Sequence, residues 1–185
     1  MKSSKLLIFV VLGIAVVLMA VFLPKPKGLN LENSGSEQAI GDGPVITPVT
    51  MEELNKLLVS RGAKVTVVNL WASFCEPCRE EFPAFMRAYR EYRDQGLDLI
   101  FVSMDFKSEL PDARDFLTEQ RVDFETFIKA ERDEDFIRAI DPDWSGVIPT
   151  TLLYNEKGEK IDFIPRALTF EELEEKISTA LGSKK

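Results

Sequence analysis

Cys75 and Cys78 are the only cysteines in the 185-residue chain, and two residues separate them. A pair so spaced can cycle between dithiol and disulfide, supply half of a tetrahedral zinc site, or sit as two inert, buried thiols. With no other cysteine and no histidine in the chain, the zinc reading survives only as a dimer bridged by two such pairs. The missing histidine also removes Ser-His-Asp hydrolysis, HExxH metalloprotease chemistry and His-ligated copper or haem. The pair sits where a strand-like run, KVTVVNLW (64–71), gives way to a helix-like one starting near Pro77. Cys75 is therefore expected at the N-cap or first turn, facing unpaired backbone N–H groups and the positive end of the helix dipole. Such a position favours thiolate, lowering a cysteine pKa from about 8.5 toward roughly 3.5–7.5. Pro77 suits the first turn, where its missing N–H loses no hydrogen bond. Cys78, one turn deeper, can attack a mixed disulfide formed at Cys75. The expected roles are Cys75 as nucleophile and Cys78 as resolving thiol.

Glu76 lies between the two cysteines and places a carboxylate near any thiolate. Like-charge repulsion raises the thiol pKa and opposes the dipole. A less stable thiolate makes the reduced form less favourable, so the pair is expected to be a reductant, nearer about −270 mV than −120 mV. Arg79 offsets part of this.

Elements must hold these residues in place. Thr50 with Glu53 makes a capping-box pattern, and Leu54, Leu57 and Leu58 form the stripe of a helix that Gly62 stops. Residues 64–71 read as a buried central strand. Residues 77–94 predict a helix that buries Phe82, Phe85, Met86 and Tyr89 and ends at Gly96; residues 97–104 predict a second buried strand. Ser108 and Pro111 announce a helix with Ala113, Phe116 and Leu117 inward, followed by a short strand over 126–129 and a short helix over 135–140. TTLLY (150–154), the turn NEKG and KIDFI (160–164) read as a hairpin, and Thr169 with Glu172 caps a last helix carrying Leu173, Ile177 and Leu181. The order α-β-α-β-α-β-α-β-β-α predicts an α/β fold, a central mixed sheet flanked on both faces by helices. No internal repeat and no nucleotide-binding glycine loop interrupts it.

Composition frames the rest. Apolar residues make up 45% and charged ones 29%, ordinary for a globular domain with a core. The net charge of -8 argues against a phosphate-gripping nucleic-acid partner. Residues 6–23 are uninterrupted apolar or small positions, about 27 Å as a helix, enough to cross a bilayer core. A cleaved signal fits less well, because the best cut, after Ala20, has Leu18 where a small residue belongs. The expected organisation is a cytoplasmic N-terminus (1–5), a transmembrane anchor (6–23), a flexible Gly/Pro/Ser-rich linker (24–48) and a domain over 49–185. This makes a single-pass cell-membrane protein with its domain on the extracytoplasmic (periplasmic) side.

Residues 49–185 resemble the thioredoxin superfamily, in particular its membrane-tethered TlpA/ResA-like thiol–disulfide oxidoreductases. Four features carry the resemblance. Trp71 stands four before Cys75 in WASFC; CEPCREEFP matches closely; Pro83 sits where thioredoxins kink their active-site helix; and Ile148-Pro149-Thr150, just before a strand, matches the family's cis-proline loop. The resemblance implies a thioredoxin-like fold with a family-type strand–helix insertion. It also implies a cis Ile148–Pro149 bond facing the cysteines, and a substrate surface that includes Trp71, Glu76, Pro77, Ile148 and Pro149. Where typical thioredoxin has a buried Asp serving its second cysteine, this chain has Asn69, which cannot titrate. Some relatives instead use a glutamate three after that cysteine, here Glu81, the expected acid/base for Cys78. Trp144, in the DPDWSG stretch that fits the family poorly, reads equally as a lip of the substrate groove or as packing.

The resemblance implies a protein disulfide reductase whose only redox group is the Cys75–Cys78 disulfide, with no other cofactor and no metal. Its partners would be protein thiol/disulfide substrates, such as those of cytochrome c or metal-site maturation, and an integral-membrane thiol electron donor. Two alternatives compete with it. A peroxiredoxin-like thiol peroxidase would need Thr or Ser three before the nucleophile, where Ala72 stands. A metallochaperone or redox-sensing binding module would usually add a histidine, which is absent.

Overall fold

Residues 44–182 are described by the computed structural model. The expected segments 1–5 and 6–23, and residues 24–43 of the linker, lie outside the described residues. The fold is organised around β2 (Val65–Trp71), buried at every position as its apolar, β-branched sequence demands. β2 pairs in parallel with β3 (Leu97–Ser103) and antiparallel with β5 (Thr150–Asn155). β4 (Thr126–Lys129) lies in parallel beyond β3, and β1 (Ile46–Val49) in parallel beyond β4. On the other side β6 (Lys160–Ile164) closes the hairpin with β5. The mixed six-stranded sheet thus runs β1-β4-β3-β2-β5-β6.

Alternation along β2 feeds two cores. Val65, Val67 and Trp71 face a cluster with Phe82 and Phe85 of α2 (Glu76–Tyr92), Phe116 of α3 (Leu110–Glu119), and Leu173 and Ile177 of α5 (Phe170–Ala180). Val68 and Leu70 face the other, with Leu54 and Leu58 of α1 (Met51–Ser60) and Phe136 of α4 (Asp133–Ile140). The capping boxes at Thr50/Glu53 and Thr169/Glu172 are both formed, starting α1 and α5. The helix that carries the cysteines is seated by aromatic contacts. Phe82 stacks on Phe101 of β3 at 4.1 Å and meets Trp71 and Phe116 edge-on at 5.4 and 5.0 Å. Such pairs contribute about 0.5–1.5 kcal/mol each beyond area burial. After α2 a 3-10 turn (Arg93–Gln95) runs into Gly96, whose φ of 109° only glycine adopts readily and where a Cβ would meet Lys64 at 3.0 Å.

Three boundaries differ from the sequence reading. The linker was expected to run through residue 48, but Ile46–Val49 form the edge strand β1, in register with Thr126–Lys129. A four-residue edge strand with a single fully buried position, Val49, has no alternation to betray it, and Pro48 is tolerated because an edge strand need not donate on both sides. The helix expected over 135–140 begins at Asp133, with Asp133, Glu134 and Asp135 in its first turn, where acidic groups complement the dipole. Lys107–Glu109 form a 3-10 turn ahead of α3. Among the described residues no helix is long and apolar enough to cross a membrane.

Candidate active site

β2 ends at Trp71, and four residues later the chain turns into α2 with Cys75 as N-cap. The cap is made by sulfur: the Cys78 backbone N–H donates to Cys75 Sγ at 3.3 Å, and the Cys75 N–H donates back to the Ala72 carbonyl at 3.1 Å. Cys75 and Cys78 are joined as a disulfide. Their burial is unequal. Cys75 keeps 8% exposure and Cys78 1%, so an incoming sulfur meets Cys75 first. Glu76 and Pro77 are exposed beside it, Pro77 within the first turn, and Phe74 on the other flank is 64% exposed.

The Ile148–Pro149 bond is cis. Ile148 packs against the cluster that contains both cysteines, while Pro149 is buried at the head of β5. Gly146 (φ 83°) admits the loop: a Cβ there would meet Ile137 Cδ1 at 2.5 Å. Trp144 helps to shape the same loop, its indole N–H donating to the Val147 carbonyl at 3.1 Å. It is only 6% exposed and packs edge-on against Phe163, so it is loop packing and not a lip offered to substrate. Trp71 needs a parallel correction. At 0% exposure it has no surface to present to a client, and it packs against Phe82 and Phe116 in the cluster that also holds both cysteines. Its Nε1–H has no hydrogen-bond partner.

Glu81 lies one turn beyond Cys78 and is 4% exposed. Oε1 accepts from Asn69 Nδ2 at 2.8 Å and Oε2 from the Leu168 backbone N–H at 2.9 Å. Burial pushes its pKa from the ordinary 4.5 up to about 7, the two donors pulling part of the way back. A carboxyl poised near neutrality and one helical turn from a buried thiol is suited to move that thiol's proton.

Sequence reasoning missed the residues that hold the loop before Cys75. Asp105, two residues past the end of β3, accepts from the Ser73 backbone N–H and the Ser73 hydroxyl, and Arg79 Nη1 donates to the Ser73 carbonyl at 3.4 Å. Their only sequence trace is a carboxylate placed directly after a run as apolar as LDLIFVSM. The Leu168 N–H was invisible, since a backbone donor leaves no signature. Among the described residues no group of three or more His, Cys, Asp or Glu is placed to hold a metal ion.

A family model described as the AhpC/TSA family matches residues 47–162. The chain is 24% identical over 174 residues to the thiol-disulfide oxidoreductase ResA of Bacillus subtilis, covering 91% of this chain and 90% of that protein. It is 29% identical over 171 residues to the thioredoxin-like protein YneN of the same organism, covering 86% and 94%. A crystal structure of a thiol:disulfide interchange protein from Chlorobium tepidum superposes with a TM-score of 0.57 at 21% identity, over 75% of this chain and 97% of that one, a likeness of fold.

Proposed function

The chain belongs to the AhpC/TSA family and is a thiol–disulfide oxidoreductase, and we propose that it works as a reductase of protein disulfides at the extracytoplasmic face of the cell membrane. One observation carries the reading: the disulfide caps α2 with the reachable sulfur at Cys75 and the shielded one at Cys78. In the reduced protein the Cys75 thiolate attacks a client disulfide, giving a mixed disulfide and releasing the first client thiolate, which takes up a proton. Glu81 accepts the proton of Cys78, whose thiolate then attacks Cys75 Sγ. The internal disulfide forms and the second client thiol leaves. Two electrons and two protons have passed to the client, and a membrane thiol donor restores the dithiol.

Tethering rests on the apolar run over residues 6–23 and the linker that follows it. With -8 of formal charge and its anchor in the membrane, the protein would meet clients emerging on the far side. Precursors awaiting cytochrome c or metal-site assembly suit a dedicated reductant there, because their cysteines must be thiols before they can take a cofactor. Glu76, Pro77 and the Ile148–Pro149 loop form the client-facing rim.

The test uses Cys78→Ser in native membranes. Without its resolver the protein should hold clients at Cys75 as mixed disulfides, identifiable by mass spectrometry, while the wild type reduces insulin. Peroxide consumption through Cys75 without insulin reduction would reverse the assignment.

A further inference from the structure

Asp105 is 1% exposed, yet its carboxylate is not spent on a neighbouring cation. Both oxygens face the Ser73 N–H, at 3.0 and 3.1 Å; Oδ1 takes the Ser73 hydroxyl at 2.6 Å and Oδ2 the Ser103 hydroxyl at 2.5 Å. Every one of these groups donates, so the carboxylate acts as a pure acceptor, the role of its ionised form. A charge buried this deeply is costly unless it is fully hydrogen-bonded. Here the bonds converge on Ser73, two residues before the nucleophile. With the Ser73 carbonyl accepting from Arg79, all three polar groups of that residue are fixed. Lys129 on β4 approaches the same region, but it donates to the Asp105 backbone carbonyl and pairs with Asp133 at 2.9 Å. Its charge is therefore matched elsewhere. Arg79 on α2 reaches the loop through the Ser73 carbonyl and is itself drawn toward Glu119 and the Phe116 ring, and Lys107 lines the cavity beside Asp105 together with Lys129, Glu131, Arg132, Asp133 and Glu134.

We propose that Asp105 is a positioning residue for the redox pair: through Ser73 it clamps the loop that aims Cys75, and it sets a fixed negative charge beneath that loop. The inference rests on the disulfide-reductase reading and deepens it. The clamp keeps the Cys75 sulfur at the helix N-terminus during the change between dithiol and disulfide. The charge opposes the thiolate, destabilises the reduced pair and so makes it the stronger electron donor.

The test equilibrates the full-length protein in detergent with glutathione buffers. Two electrons and two protons pass from the Cys75/Cys78 dithiol to glutathione disulfide, leaving the internal disulfide and two glutathione thiols. Asp105→Asn keeps the shape and removes the charge. It should move the equilibrium about tenfold toward the dithiol, about 30 mV, and lower the Cys75 pKa read from alkylation rate against pH. Ser73→Ala keeps the charge and removes one clamp bond. It should slow thiolate attack about threefold well above the thiol pKa, with the equilibrium within about twofold of wild type. A residue that only stabilises the fold would lower the unfolding temperature of both redox forms and leave the equilibrium where it was. A folded Asp105→Asn with a wild-type equilibrium overturns the proposal. Should that variant not fold, an unaltered attack rate in Ser73→Ala overturns it instead. A wild type that neither equilibrates with glutathione nor reduces insulin would defeat the reductase reading itself, an outcome visible before any variant is made.

Discussion

The side-chain amide of Asn69 donates from one nitrogen to two partners, Glu81 Oε1 at 2.8 Å and Thr151 Oγ1 at 3.2 Å. Three elements meet in that amide: the central strand β2, the helix α2 that carries the cysteines, and the strand β5 that leaves the cis-proline loop. An amide cannot titrate, so the proton at this junction belongs to Glu81. The pH dependence of proton removal from Cys78 should therefore be that of one carboxyl, while attack by Cys75 follows its own thiol.

Glu81 serves Cys78 only when ionised. With a pKa near 7, the release of client from the Cys75 mixed disulfide should quicken as pH rises through that value. Glu81→Gln should slow release about 100-fold and erase the inflection near neutrality, as expected on losing a general base. Rapid-quench measurement from about pH 5 to 9 reads both effects. An inflection that persists in Glu81→Gln places the base elsewhere.

The same carboxyl makes stability depend on pH. Its folded pKa, about 7, lies above the ordinary 4.5 because burial penalises the charged form. The stability it allows is fully present below 4.5 and is lost as pH rises through 7, up to about 3 kcal/mol. Denaturant unfolding of the oxidised wild type should show that loss across the interval, and Glu81→Gln should be nearly flat. A wild type that gains stability over this range contradicts the assignment.

How much of this was legible in the sequence follows from the kind of signal each feature leaves. The central strand, both capping boxes and the hairpin over 150–164 were readable because burial on two faces, a Thr-x-x-Glu spacing and a glycine turn are local patterns. The Cys75 N-cap was readable because a strand run meets a helix run there. β1 was not, since four residues on a sheet edge need only their partner β4 to define them. Nor were the partners of Glu81 and Ser73: Leu168 lies 87 residues from Glu81 and Asp105 lies 32 from Ser73, and only tertiary folding joins them. Trp71 was placed on the client surface, and Trp144 was left between groove lip and packing, for a related reason. Proximity in sequence to the motif and to the cis-proline loop says nothing about which side of the backbone an indole takes.

Trp71 offers a direct check on that correction. Its ring fills the space between Phe82 and Phe116 and its N–H has no hydrogen-bond partner. Trp71→Ala should cost about 3–5 kcal/mol in unfolding free energy by opening a cavity. Trp71→Phe, which keeps a ring and removes the stranded donor, should cost less and leave the KM for a protein client within about twofold. A large rise in KM with unfolding unchanged would return Trp71 to the client surface.

Phe74 is the apolar group better placed to meet a client. It stands beside Cys75 and is 64% exposed, while Val147, also exposed, comes immediately before the cis Ile148–Pro149 bond. Both are anchored by backbone and neither contributes to a buried cluster, so Phe74→Ser and Val147→Ser should each change stability by less than about 0.5 kcal/mol. A client segment lying over the disulfide would cover them, and each lost apolar contact should raise the KM for a protein disulfide about fivefold to tenfold. A small soluble disulfide is too short to reach either side chain, so its reduction rate should stay at the wild-type value in both variants. The contrast between the two substrates is the diagnostic. Equal losses on protein and small disulfide would mean that the substitutions disturb the Cys75 sulfur itself, and equal retention would mean that clients approach from another direction.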